Sequence, residues 1–260
     1  MIGWMSAALV AAAAVQDAPA AAPQPVSAEH QPARLDALLA AKDYSTLGRT
    51  IQQVSRQPDL VSDLDWLRAR MLEGNSAFVT MLYSRLLWVA AGGLPETERD
   101  LMRQTAAMTT LYAHAAIEID GARCGDPSAP SRRAEQLMTW NPEIWPFLRA
   151  LPAETREQAV AIAVAIEART AARRDAAGDV DFLCRYGLEE TRYNLEHGTS
   201  REVPTPPGGI GTTIELTGDG GYRPSERPES ERRARAAELR AALPANLAAL
   251  AGAADRARPR

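Results

Sequence analysis

Short catalytic and metal-binding motifs are missing from this sequence. It has no glycine-rich phosphate loop, no GxSxG nucleophile elbow and no HExxH zinc helix. With two cysteines and three histidines in 260 residues, it also lacks the ligand clusters typical of zinc sites. These absences exclude the enzyme classes that a short motif identifies, and we expect no cofactor and no bound metal. An enzyme whose site is assembled from scattered residues stays open.

Basic charge excess and long apolar runs are also absent. The net charge of -4 argues against a nucleic-acid partner, because nucleic-acid-binding proteins usually carry a basic excess. No apolar run approaches the ~20 residues that a transmembrane helix requires, so we predict no membrane span. The chain is nevertheless 46% hydrophobic and only 5% aromatic, which is enough apolar content for a substantial core.

The abundant residues favour helices. Alanine, leucine, arginine and glutamate dominate the chain, and all four are strong helix formers. Apolar residues recur at helical spacing in short segments that glycine and proline separate, which predicts an all-α fold, an irregular multi-helix bundle. Residues 40–52 are reminiscent of the helix-turn of tetratricopeptide-like repeats, but no fixed period follows. A solenoid is therefore the less favoured alternative.

Composition divides the chain into six segments. We expect a signal peptide at 1–22, a linker at 23–31, a helical bundle domain at 32–198, a Pro/Gly-rich flap with a short β-hairpin or extended segment at 199–227, C-terminal helices packed on the bundle at 228–252, and a tail at 253–260. The β-prone stretch of the flap is Thr212–Thr217, before a glycine-rich turn. Pro244 is predicted to divide the C-terminal region into two helices.

The first residues resemble a secretory signal peptide. Met1 to Ala14 form an apolar, alanine-rich stretch, and small residues suited to cleavage follow it. The stretch lacks the lysine or arginine that usually precedes the apolar region, so an alanine-rich tail is the alternative. The pattern predicts a periplasmic or secreted protein.

The two cysteines, Cys124 and Cys184, are predicted to form a disulfide, because exported proteins fold in oxidising compartments. Such a bond would close a loop of about 60 residues and stabilise the fold by roughly 4 kcal/mol in the chain-entropy model. Two buried thiols are the alternative if the chain is not exported.

The stretch Leu101–Cys124 is predicted to be the central helix. From Thr105 to Ile119 it is apolar on every side apart from His114 and Glu118, as expected of a helix surrounded by others. A second apolar segment, Ala159–Ile166, is its predicted partner.

His114 and Glu118 are the candidate catalytic residues. They lie four positions apart and therefore share one helix face. A histidine beside a carboxylate can act as a general base with its orienting partner, whereas a metal site would need further ligands. The favoured structural alternative is that Glu118 orients His114 while Arg123 neutralises the nearby carboxylates.

Other polar and aromatic residues have simpler interpretations. His197 is predicted to stabilise a helix C-terminus, where a cation is favoured. The arginine pairs at 132–133, 173–174 and 232–233 are interpreted as solvated charge. Trp140 and Trp145 are interpreted as a clamp over the end of the bundle, with a ligand platform as the alternative.

Taken together, these patterns favour an exported interaction or structural protein of a bacterial-type cell envelope. Its partner would be an unidentified protein, and the flap and the C-terminal helix would be the contact surface. The alternative is a small periplasmic hydrolase- or lyase-like enzyme that uses His114 and Glu118.

The signal-peptide hypothesis predicts where the mature chain begins. Protein recovered from a periplasmic extract should start between Val15 and Pro23, because small residues suited to cleavage lie there. N-terminal sequencing checks this expectation, and an intact Met1 in that fraction would contradict it.

Overall fold

The computed structural model describes residues 24–177, 180–205 and 211–252. The predicted signal peptide and C-terminal tail lie outside these residues. Within them the α-helices are α1 (Pro32–Ala40), α2 (Tyr44–Gln52), α3 (Gln57–Leu72), α4 (Ala77–Ala91), α5 (Glu96–Asp120), α6 (Ser128–Trp140), α7 (Ile144–Ala150), α8 (Ala153–Ala177), α9 (Val180–Leu183), α10 (Leu188–His197) and α11 (Glu229–Leu250), and the strands are β1 (Thr199–Val203) and β2 (Thr213–Thr217). The predicted all-α bundle with a short hairpin is confirmed.

Helix α5 is the centre of the bundle, as predicted. It packs most extensively against α4 and then against α8, and α6, α7 and α11 also contact it. Its buried side chains lie on every side of the helix between Ala106 and Asp120. Small residues such as Ala113 and Ala116 let the neighbouring helices approach closely, so the core is formed of thin, closely spaced layers.

Helix α8 is the predicted partner of α5 but buries only one of its faces. Ala159, Val160 and Ala163 are buried, whereas Ile162 remains 41% exposed. The alternation of alanine with valine or isoleucine therefore does not indicate a helix surrounded on all sides. An alanine-rich helix needs few large side chains to pack, since propensity supports it without full burial.

In α2 and α4, the residue just before the helix caps the N-terminus with its side chain. The Asp43 carboxylate accepts a hydrogen bond from the Thr46 amide at 3.0 Å and begins α2. The Ser76 hydroxyl accepts one from the Phe78 amide at 3.2 Å and begins α4. Both contacts satisfy amides that have no partner inside their helix, so these residues fix where each helix begins.

Apolar residues at helical spacing predict a single helix over 179–196, and this prediction is wrong. The chain forms the short α9, leaves helical geometry and begins again as α10. Tyr186 has a positive φ of 67°, which an α-helix does not accommodate, and Gly187 then precedes α10. A carboxylate oxygen of Asp126 occupies the space that a β-carbon on residue 187 would need, so glycine is required there.

The predicted division at Pro244 is also wrong, because α11 continues through this proline to Leu250. Proline inside a helix loses one backbone hydrogen bond, at a cost of about 3 kcal/mol. Leu243 and Leu247 are buried on either side of Pro244. Burial of each leucine contributes about 2 kcal/mol, so packing keeps the two halves in one helix.

The hairpin confirms the β-prone reading of 212–217. Strands β1 and β2 pair antiparallel, with Thr199 opposite Thr217 and Val203 opposite Thr213.

The predicted disulfide between Cys124 and Cys184 is also present, and both residues are buried. Among the described helices, none combines the length and the apolar character that crossing a bilayer requires.

A buried ion network joins three helices of the bundle. The Arg174 guanidinium on α8 donates to the Asp120 carboxylate of α5 at 2.9 Å and to the Glu167 carboxylate at 2.8 Å. It also donates to the Tyr112 hydroxyl at 2.9 Å. Arg240 of α11 donates to the same Glu167 carboxylate at 3.0 Å. The network fixes the register of α8 on α5 and attaches α11 to both.

Removing the central cation of this network should strongly destabilise the fold. Arg174→Leu leaves the buried Asp120 carboxylate without its direct ion-pair partner and leaves Glu167 with Arg240 alone. We expect a loss of about 3–5 kcal/mol in the free energy of unfolding. Arg173→Leu is the matched control, because Arg173 is exposed and should change stability by about 1 kcal/mol or less. Urea unfolding measures both values, and equal losses would contradict the role of Arg174.

Candidate functional site

The structure brings the predicted pair His114 and Glu118 together. The His114 Nε2 atom lies 3.2 Å from a carboxylate oxygen of Glu118, on one face of α5. The His114 side chain is 14% exposed, and its Nδ1 atom is buried with no hydrogen-bond partner. The pair therefore has the geometry of a histidine oriented by a carboxylate, with the proton on Nε2.

The electrostatics of the pair favour an ionised carboxylate. The hydrogen bond from His114 lowers the pKa of Glu118, burial acts in the opposite direction, and Arg235 assists the lowering. In the part of the chain that the structure describes, no hydroxyl of a serine or threonine is hydrogen-bonded to His114. The catalytic role of the pair stays a prediction, since the contacts show orientation but no reacting partner.

Arg123 has the predicted role only in part: its charge favours the ionised form of Asp120, but among the described residues it forms no ion pair with that carboxylate. We expected it to neutralise the carboxylates near the end of α5, but the direct partner of Asp120 is Arg174 on α8. Arg123 is buried and donates instead to the Asp175 carbonyl at 3.4 Å. The partner of Asp120 comes from a residue 54 positions away, which spacing within one helix could not reveal.

The arginine pairs divide between surface and interior. Arg174 is buried in the ion network and Arg133 is buried against Phe182, so the interpretation of these two as solvated charge is wrong. Arg232 and Arg233 pair with Glu229 and other surface carboxylates, as predicted for solvated charge. The sequence does not distinguish buried arginines from solvated ones, because the two members of each pair are adjacent and lie on different helix faces.

His197 lies in the last turn of α10, where capping was predicted. Its imidazole is half exposed, lies 3.8 Å from the Glu196 carboxylate and stacks near the Tyr193 ring, with centroids 4.5 Å apart. These contacts involve α10 itself and none of them involves His114.

Sequence reasoning missed a second histidine–carboxylate pair. The Nδ1 atom of His30, which precedes α1, lies 2.7 Å from a carboxylate oxygen of Asp63 on α3. The second Asp63 oxygen is buried without a partner. Nearby, the Ser27 amide donates to the Asp59 carboxylate at 2.8 Å. These contacts attach the segment before α1 to α3, which makes part of the predicted linker an ordered piece of the bundle.

The predicted flap is part of a projecting unit, which we call the lobe. It consists of α10 and the hairpin, residues 188–221 apart from 206–210, which lie outside the description. Asn194 connects the end of α10 to the start of the hairpin, because its backbone carbonyl accepts a hydrogen bond from the Gly198 amide at 2.8 Å. Gly198 and Gly218 bring the backbone close to Asn194, where a β-carbon would overlap its atoms.

Both ends of the lobe are attached at one place on the bundle. At its entry, the disulfide joins Cys184 to Cys124, and the Asp126 carboxylate accepts a hydrogen bond from the Glu189 amide at 2.8 Å. At its exit, the Gly125 amide donates to the Ser225 carbonyl at 2.8 Å. The segment around Cys124 is therefore the base of the lobe.

The lobe and the segment just before it carry the most exposed large apolar side chains of the described residues. The four most exposed large hydrophobic residues of the described chain all lie between 186 and 214: Leu195 at 69%, Leu188 at 66%, Tyr186 at 64% and Ile214 at 60%. Leu188 and Leu195 are seven positions apart on α10 and so share one face. Two large apolar side chains exposed on one helix face differ from single scattered surface residues, and such a face is typical of an interaction surface.

Comparison with known protein families, with curated proteins and with solved structures finds no match to this chain.

The buried pair His30–Asp63 predicts a pH dependence of stability. Burial raises the pKa of Asp63 to about 6, and the hydrogen bond with His30 offsets only part of this effect. The folded chain therefore holds this proton more tightly than the unfolded chain, whose aspartate pKa is near 4. The stability that Asp63 contributes is fully present below about pH 4 and is lost as the pH rises through about 6.

Urea unfolding of the wild type and of Asp63→Asn at several pH values checks this prediction. Between about pH 4 and pH 6, the wild type should lose on the order of 2 kcal/mol relative to the variant. Asp65→Asn, an exposed change on the same helix, is the control and should follow the wild type. A constant difference between wild type and Asp63→Asn would contradict the assignment.

Proposed function

We propose that the protein is an exported interaction protein of the cell envelope, in which a disulfide-linked helical bundle presents the lobe to a partner protein. The observation that carries this proposal is the concentration of exposed apolar side chains on the lobe. Leu188, Leu195 and Ile214 belong to it, and no other described large hydrophobic residue except Tyr186 beside it is as exposed. Their burial in a complex would supply a hydrophobic driving force.

The hairpin adds a second reason to expect a protein partner. A two-stranded sheet is marginally stable in water without an apolar surface to cover it. Ile214 and Leu216 alternate onto one face of β2, and Ile214 is largely exposed. Neither strand pairs with a third one in the described residues, so both outer edges retain backbone groups that an extended segment could pair with.

The disulfide supports the export part of the proposal. Disulfides persist in oxidising compartments and are rare where thiols are kept reduced. The bond between Cys124 and Cys184 is buried and closes a loop with a sequence separation of 60. It joins the lobe to the bundle, so an oxidising compartment would be required for the lobe to be held in place.

Site-specific crosslinking in the envelope of the producing cells tests the proposal. A photoreactive residue placed at Ile214 should form adducts of one or a few defined masses, because this side chain would be buried by the partner. The matched control is the same residue at Val89 on α4, which is 55% exposed but lies outside the lobe. It should form no such adduct.

A second variant tests whether the adduct depends on the apolar surface of the lobe. Leu195→Asp places a charge on that surface and should reduce the yield of the adduct at least tenfold, since burying an unpaired charge is costly. The same adducts at both positions, no adduct at either position, or an undiminished yield in Leu195→Asp would overturn the proposal.

A hydrolase- or lyase-like enzyme is the second candidate, and one observation favours it. His114 and Glu118 stand 3.2 Å apart, the geometry of a general base and its orienting carboxylate. Neither residue lines the large cleft of the molecule or the small apolar groove between α8 and α11. The interaction function is therefore the better supported of the two.

A further inference from the structure

A large open cleft lies on the bundle beside the base of the lobe. It has a volume of about 1140 Å³, and its walls come from the turn between α1 and α2, from α2, from α6 and from the segment 181–186. This volume is slightly above the range of about 300–1,000 Å³ that is typical of small-molecule sites, so a small ligand would fit with room to spare. None of the candidate residues discussed above as catalytic contributes to its walls.

Aromatic rings form one part of the cleft. Tyr44, Phe78 and Phe182 pack against one another, with ring centroids 5.0–5.4 Å apart, and form its floor. Trp140 lies 6.1 Å from Phe78 and remains partly exposed, while Tyr186, which also lines the cleft, is largely exposed. Trp140 lines the cleft, so its interpretation as part of a ligand platform stays open, whereas Trp145 is buried and does not line it. The two exposed rings can cover the flat face of a bound ring.

Arginines form another part of the cleft. The guanidinium of Arg133 stacks between Phe182 and Tyr186, 4.1 Å and 4.7 Å from the ring centroids, and so holds the Tyr186 ring in position. Arg49 is exposed, and its hydrogen bond to the Thr46 hydroxyl is 3.4 Å long. Within the described residues no carboxylate is close enough to Arg49 to form an ion pair. Arg49 is therefore available to a bound anion.

Arg132 is a second cation that a ligand could recruit. It pairs with Glu135 at 3.1 Å, but both side chains are more than half exposed. Exposed pairs of this kind contribute about 0–1 kcal/mol, so Arg132 can exchange Glu135 for a ligand carboxylate at little cost. The acidic residues of the cleft have other roles: Asp43 caps α2, and Asp181 pairs with Lys42.

Backbone strain is concentrated at the same cleft. Lys42 and Tyr186 are the non-glycine residues with positive φ in the described chain, at 57° and 67°, and both line the cleft. Each costs about 1 kcal/mol or more relative to glycine. Helix α3 ends in a similar turn with glycine, Gly74, at φ 76°. Strained positions of this kind cluster at functional sites, so they mark this part of the surface as a candidate site.

From these observations we propose that the cleft binds a carboxylate attached to a ring, with Arg49 and Arg132 pairing with the anion and Tyr186 and Trp140 covering the ring. An aromatic acid and an acidic sugar share this chemistry, because both present a flat apolar face beside a negative charge. This site is separate from the exposed apolar surface of the lobe and does not depend on a protein partner.

Isothermal titration calorimetry on the full mature chain tests the proposal with two pairs of probes. Indole-3-acetate and its neutral amide test an aromatic ring, and trigalacturonate and neutral maltotriose test a sugar ring. We expect one acid to bind at least tenfold more tightly than its neutral counterpart, and the pair that shows the difference identifies the ring. Equal binding of acid and neutral probe, or no binding of any probe, would overturn the proposal.

Three variants locate the binding in the cleft. The double variant Arg49→Gln/Arg132→Gln and the single variant Tyr186→Ala should each weaken binding of the acid at least tenfold, while urea unfolding checks that the fold is intact. Arg235→Gln is the matched control, because its pair with Glu238 has the same 3.1 Å distance and similar exposure on α11, outside the cleft. Unchanged affinity in the cleft variants, or an equal loss in the control, would contradict the assignment.

Discussion

The interior position of Arg174 constrains the rest of the bundle. A guanidinium can be buried only where acceptors surround it, and here they come from two helices, with Asp120 on α5 and Glu167 on α8. Apolar contacts between alanine-rich surfaces tolerate small shifts, whereas this set of hydrogen bonds does not. Because Arg240 reaches the same Glu167 carboxylate, α11 is positioned by the network as well. The remaining elements therefore pack on α5, α8 and α11, whose relative positions the network determines.

The two proposed binding surfaces meet at one short segment. Cys184 is held by the disulfide, Tyr186 lines the cleft, and Leu188 begins the lobe. Glu190 connects them, because its carboxylate accepts hydrogen bonds from the Tyr186 amide and from the Arg185 guanidinium. A partner on the lobe and a ligand in the cleft would therefore act on the same backbone. The architecture allows the two occupancies to influence each other, provided that each favours a different arrangement of this segment.

Local patterns were sufficient for most of the fold but not for the long-range contacts. The central helix α5, the disulfide and the hairpin follow from periodicity, cysteine count and turn residues. The same is true of His114 beside Glu118, since both lie on one helix. The pairing of His30 with Asp63 and the burial of Arg133 depend on which helices become neighbours, which spacing does not encode. Helix α11 passes Pro244 for a related reason, because tertiary packing outweighs a local preference.

At Lys42, the backbone conformation favours glycine, whereas the ion pair with Asp181 requires the lysine side chain. Glycine would relieve the left-handed conformation there, and a stabilised version of the protein would be expected to carry it. The same change would remove a cation from the rim of the cleft and the partner of Asp181. The strain and the ion pair are therefore linked at this position, because glycine would relieve the strain only by removing the cation that pairs with Asp181.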